Sequence, residues 1–183
     1  MSVVTVWTKQ HKDVLNKLNT CKRYTAKKEI VENNDEAKLM MHAYSWLMKA
    51  HPDIKRKPCD ADYPVWVSFK REGTMLLSPD TVILKLCIDE DIITRLNVMR
   101  WTSVNNLLYI PKDEKDKKRH KELLSQYGIS DAKACMSNFY PDIKLEIEKS
   151  WSRAFDVNAE SEKELCYGLI WEIKKEWLKE VIK

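Results

Sequence analysis

The sequence predicts an α+β fold: a single domain over residues 1–183, rich in helix, with a small mixed or antiparallel sheet packed by several helices. Three observations carry this expectation. Short β-branched runs (VVTVWT, VWVSF, TVILKLCI) alternate with longer segments whose apolar residues recur at helical spacing. Hydrophobic residues make up 44% of the chain and charged residues 33%, enough apolar material for one core at this length. Only three glycines occur (Gly73, Gly128, Gly168), too few for a hairpin-rich sandwich or a phosphate-cradling loop.

Taken in order, Val3 to Thr8 reads as an opening strand. Val14, Leu15 and Leu18 then mark a short helix from about His11 to Asn19-Thr20. Asn34-Asp35 reads as the cap of a longer helix running from Ala37 through Met48 and stopped by Pro52. A proline-rich, charged loop from His51 to Asp62 leads to a strand, Val65 to Phe69. Thr81 to Ile88 is nearly all apolar and β-branched, as in a strand covered on both faces within a sheet. Asp89 to Met99 reads as a turn that begins a helix capped by Asp89 or Asp91, and an apolar pattern continues from Val104 to Tyr109.

Asp113 opens a charged helix that closes at Gly128, and its first turns are expected to be solvated. Ser130-Asp131 caps a short helix, and Pro141 starts another whose face is Ile143, Ile147, Trp151 and Phe155. After a polar loop from Asn158 to Glu164, Leu165 to Ile173 reads as the last strand, with Glu176 to Ile182 a short tail helix or extension. Trp46, Trp66, Trp151 and Trp171 fall on apolar phases and are expected in the core, whereas Trp7 and Trp101 have polar neighbours.

The chemistry-bearing motifs are mostly absent. No G-x-G-x-x-G, Walker-type loop, nucleophile elbow or H-E-x-x-H helix occurs. His120-Lys121-Glu122 matches one half of a zinc-deaminase signature, but the P-C-x-x-C half does not follow. Four scattered histidines and five isolated cysteines give no metal spacing, so no metal and no cofactor is expected; most of the cysteines read as buried small hydrophobes in a reducing compartment. No secretory leader and no membrane-spanning apolar run is present, which points to a cytoplasmic protein. A net charge of +4 permits an anionic partner without requiring one.

Lys117, Lys118, Arg119 and His120 are the candidate partner- or phosphate-binding residues, although i,i+4 pairs such as Asp113 with Lys117 favour a solvated helix. Lys22, Arg23, Lys27 and Lys28, and Lys55 to Lys57, form two further basic clusters.

Six motifs together carry a resemblance: VTVWTKQ from Val4, RYTAK from Arg23, PVWVS from Pro64, YIPKDE from Tyr109, YPDIK from Tyr140 and GLIWE from Gly168. They resemble the bacterial and phage family of domains of unknown function numbered 3841, over essentially the whole chain. That likeness implies a shared fold and no activity. A more distant likeness is to ADP-ribosyltransferase-like domains, in which an opening strand, a helix, an aromatic turn and late strands follow in this order. It implies NAD as cofactor, with Thr8 or Gln10 on the cofactor, Tyr24 stacking on nicotinamide and Glu172 as the acid that stabilises an oxocarbenium-like transition state. The first strand lacks the usual His or Arg, and Glu172 lies later than the pattern places its acid.

Two functions are therefore expected. One is a non-catalytic binding protein, phage-derived and acting on a bacterial protein or protein–nucleic acid complex through its basic clusters. The alternative is an ADP-ribosyltransferase-like enzyme or NAD-binding domain.

Overall fold

The computed structural model describes residues 2–28, 35–74, 76–157 and 165–183, with the side chains of 35–39 left aside. Asn34, expected to cap a helix, and the polar loop from Asn158 to Glu164 lie outside the described residues. The architecture is the expected α+β one, an antiparallel sheet packed with helices. By its contacts the chain divides into two compact units: Met1–Ala37, His51–Arg95 and Cys166–Lys183 form the first, and Lys38–Ala50 with Leu96–Leu165 the second.

The first unit carries the sheet. Strand β1 (Val3–His11) leads into helix α1 (Lys12–Cys21) and the two-residue β2 (Arg23–Tyr24); β3 (Val65–Ser68) and β4 (Thr81–Asp89) follow. β5 (Thr94–Asn97) begins in this unit, and β6 (Cys166–Ile170), β7 (Ile173–Lys174) and β8 (Leu178–Ile182) complete it. The order is β5-β6-β3-β1-β4-β8, and β2 pairs with β7 in a separate ribbon. β1 and β4 run antiparallel in unbroken register from Val3 opposite Asp89 to His11 opposite Thr81. Val82, Ile83 and Leu84 are buried in succession, which requires cover on both faces of β4, as the sequence pattern implied. The core joins Val6, Val14, Leu18, Tyr24, Val65, Val67, Leu84, Leu86 and Ile173.

Three sequence expectations are corrected here. The run from Leu165 to Ile173 is not one strand: it breaks at Trp171, whose indole donates to the carbonyl of Asp53 at 3.1 Å and packs on His51 with ring centres 4.5 Å apart. The tail that read as helix or extension is β8, which takes β4 as its partner and so finds bonds that an isolated short helix would lack. Between Asp89 and Met99, a single 3-10 turn (Glu90–Ile92) capped by Asp89 precedes the unforeseen β5.

The second unit is helical. Residues Lys38–Ala50 belong to α2 (Asp35–Ala50). They are joined by α3 (Val98–Asn105), α4 (Glu114–Tyr127), α5 (Asp131–Met136), α6 (Pro141–Ser150) and a 3-10 turn, Trp151–Phe155. Asn97, Asp113 and Ser130 cap α3, α4 and α5 through side-chain acceptors, and Gly128 closes α4 at φ 60°. Ile143 and Ile147 are buried as the α6 face predicts, and fully buried Trp151 meets Trp46 edge-to-face at 5.7 Å. Among the cysteines, Cys135 and Cys166 are buried while Cys21 and Cys59 are exposed, so the expected burial of most of them is not met. Among the described residues, no helix is long and apolar enough to cross a membrane.

Candidate functional site

In the first unit Gln10 and Tyr24 border one cleft, whose lining does not include Thr8. Val4, Val6 and Thr8 alternate onto one face of β1, and Gln10 continues that face. Thr8 is buried, and its hydroxyl donates to the carbonyl of Trp66 at 2.7 Å. With its proton so used, Thr8 Oγ1 can only accept, and it accepts from Gln10 Nε2 at 2.7 Å. The carboxamide is thereby oriented, and no described group bonds its oxygen.

Gln10 borders a cavity of about 530 Å³ together with His11, Val14, Asn16, Lys17 and Tyr24. The cavity lies where β1 hands over to α1, with His11 Nδ1 accepting from the backbone of Asp13 at 3.3 Å to cap the helix. Lys17 holds its ammonium 6.0 Å from the centre of the Tyr24 ring. Burial pushes the Tyr24 hydroxyl above the ordinary tyrosine pKa, so it stays protonated at neutral pH.

Glu172 is not part of that cavity wall. It stands just before Ile173, the partner of Tyr24 in the β2–β7 ribbon, and its carboxylate is taken by Arg23 Nε, with Lys174 3.6 Å away. Arg23 also grips Asp60 with two bonds of 3.0 Å, and Lys27 donates to the Asp60 carbonyl. Two of the basic clusters seen in sequence thus converge on one loop: Lys57 donates to the carbonyl of Ala61 at 2.5 Å, next to the residue that holds Arg23 and Lys27.

In the second unit each of the four cationic candidates on α4 faces an acid. Lys117 lies 3.1 Å from Glu114 and Lys118 4.0 Å from Glu122. Arg119 spans Asp116 at 2.9 Å and Glu146 at 2.7 Å. His120 is buried, with Nε2 2.7 Å from Asp131 and Nδ1 2.9 Å from Glu146, and its ring stacks on Tyr109 at 3.9 Å.

Burial works against the His120 imidazolium, but the bonds to Asp131 and Glu146 outweigh it and leave the pKa above the ordinary histidine value. Asp116 is buried as well, yet bonds from the backbone of Lys112, from Tyr109 and from Arg119 hold its carboxyl far below the usual range. The His120 side chain ties α4, α5 and α6 together. The partners Asp116, Asp131, Glu146 and Tyr109 were not singled out from the sequence. The available signal was the i,i+4 line Asp116–His120–Leu124, which breaks the solvated character expected of this helix.

The same cluster satisfies an irregular segment. Tyr109 N donates to Asp131 at 3.1 Å, Ile110 N to Ser150 Oγ at 2.9 Å, and the Trp151 indole to the Leu108 carbonyl at 2.8 Å. Tyr109, Glu146, Lys149 and Arg153 border a shallow depression of about 300 Å³ beside it. Among the described residues no group of three or more His, Cys, Asp or Glu side chains is arranged to hold a metal.

The fold and these clusters define a mixed α+β protein with a lined cleft at the end of β1 and a tightly paired charge cluster among its helices. The chain belongs to the family described as Domain of unknown function (DUF3841), whose model matches residues 5–179. No curated protein and no solved structure shows a significant match to it.

Proposed function

We propose that this chain is a non-catalytic cytoplasmic binding protein whose cleft at the end of β1 receives a nucleotide of the NAD class. The observation that supports the reading is the meeting of Gln10 and Tyr24 on one cavity wall of nucleotide-admitting size, about 530 Å³, with Lys17 above the tyrosine ring. Gln10 offers a fixed carbonyl oxygen to an amide or ribose hydroxyl, Tyr24 offers a planar edge, and Lys17 offers a positive charge to a phosphate. The element order that resembles ADP-ribosyltransferase-like domains agrees with this placement. Binding without transfer is favoured because Glu172, the acid such chemistry would need, is neutralised by Arg23 and Lys174 and is absent from the cavity wall.

Isothermal titration with NAD and with ADP-ribose tests the reading. Saturable binding is expected, weakened about ten-fold by Gln10→Ala and by Lys17→Ala, as loss of one well-placed polar contact each implies. Absence of heat at millimolar ligand ends it. Release of nicotinamide that disappears in Glu172→Gln would instead establish the transferase.

A further inference from the structure

The cations of the β2–β7 ribbon are not all neutralised. Arg23 is bound by Asp60 and Glu172, and Lys174 shares Glu172. Lys22 and Lys175 differ. Lys22 Nζ donates to the backbone carbonyl of Asn19 at 2.9 Å, and Lys175 Nζ donates to the side-chain oxygen of the same residue at 2.7 Å. No described carboxylate lies within ion-pair distance of either ammonium. Two positive charges are therefore tethered to one neutral asparagine, with no described carboxylate paired to either.

The ribbon holds this arrangement in place, since Lys175 N also donates to the Lys22 carbonyl at 2.9 Å. Both lysines, with Arg23 and Lys174, border a pocket of about 430 Å³ whose lining also includes the exposed Glu176. Lys22 also sits at φ 60°, the C-cap of α1, a conformation that glycine takes freely. The turn itself thus has no need of a lysine. Closing a helix end accounts for the bond from Lys22 to a carbonyl of the last turn, but not for a second ammonium drawn to the same residue from another strand.

We propose that Lys22 and Lys175 form an anion site that takes a phosphate group, carried either by a free nucleotide or by a nucleic-acid strand. A phosphate oxygen set between the two ammonium groups accepts from both and offsets their positive charge. The site is distinct from the Gln10–Tyr24 cleft and does not depend on what that cleft binds.

Titration of the full chain with inorganic pyrophosphate at low ionic strength tests it. Saturable binding is expected, weakened about ten-fold or more in Lys22→Gly and in Lys175→Gln. Gln10→Ala and the pair Lys117→Ala, Lys118→Ala should leave it unchanged. Lys22→Gly keeps the left-handed turn, and an unchanged circular dichroism spectrum ties any loss to the ammonium. No saturable binding, affinity undiminished from that of the unaltered chain in either lysine variant, or an equal loss in the α4 pair overturns the proposal. Displacement of pyrophosphate by ADP alone identifies a free nucleotide as the source, and tighter displacement by a short single-stranded oligonucleotide identifies a strand.

Discussion

Gly168 has no room for a side chain: a Cβ there would stand 2.5 Å from Ile93 Cγ2 and 2.7 Å from Val67 Cγ2. Those neighbours are β-branched and packed, so Gly168→Ala should cost about 1–3 kcal/mol in urea denaturation. Gly128 meets nothing within 4 Å but holds φ 60°, so Gly128→Ala should cost only about 1 kcal/mol, and through the backbone alone. Cysteine chemistry divides the same way by surroundings. Burial pushes the Cys135 thiol up to about 12, so iodoacetamide at pH 8 should modify Cys21 and Cys59 and spare Cys135 until the chain unfolds. Single residues were the least legible level of the sequence. Gln10 and Tyr24 were candidates only through the likeness to ADP-ribosyltransferase-like domains, and the pairing of His120 with Asp131 and Glu146 depends on three helices meeting.

Two histidines in different elements should give stability opposite dependences on pH. His120, between α5 and α6, is more basic in the folded chain than its unfolded value of about 6.5. Its contribution is therefore complete below that value and lost as pH rises through the folded pKa. His51 is depressed to about 4, burial against Trp171 being the main cause. Its contribution is complete above pH 6.5 or so and lost as pH falls toward 4, a loss on the order of 3 kcal/mol. Urea midpoints from pH 4 to 9 should show both slopes. His120→Gln should remove the alkaline one and cost about 2 kcal/mol at pH 6, while leaving the acid one in place. Charge reversal at Arg119 should destabilise the helices, since it sets a new acid against Asp116 and Glu146; reversal at Lys117 or Lys118, which are exposed, should do little. Element type was legible wherever period and cap coincided, as at Asp113 and Gly128 for α4 or Pro141 for α6. It failed at β5 and β8, whose four or five residues owe their extended form to the neighbours they pair with rather than to local preference.

At the scale of the molecule, the apolar run from Val82 to Leu86 is the surest part of the sequence reading, and its amides should be among the last to exchange with deuterium. Among the described strands, β8 is the one that pairs with the edge of β4 away from β1. Deleting residues 178–183 should expose that side to pairing between chains, seen as concentration-dependent aggregation by light scattering. The sheet order could not be read in advance, because strands close in space are distant along the chain: β1 takes partners from positions 65–68 and 81–89, and β3 takes Cys166–Ile170. This ordering governs how the protein emerges from the ribosome. Of the described strands β1 is made before its partners β3 and β4, and β6 and β8 come last, with 68 residues, 98–165, made between β5 and β6 and falling to the helical unit. A nascent chain must therefore carry a half-built, adhesive sheet while residues 98–165 are made, and cells lacking chaperones that shelter such edges should accumulate it in insoluble form.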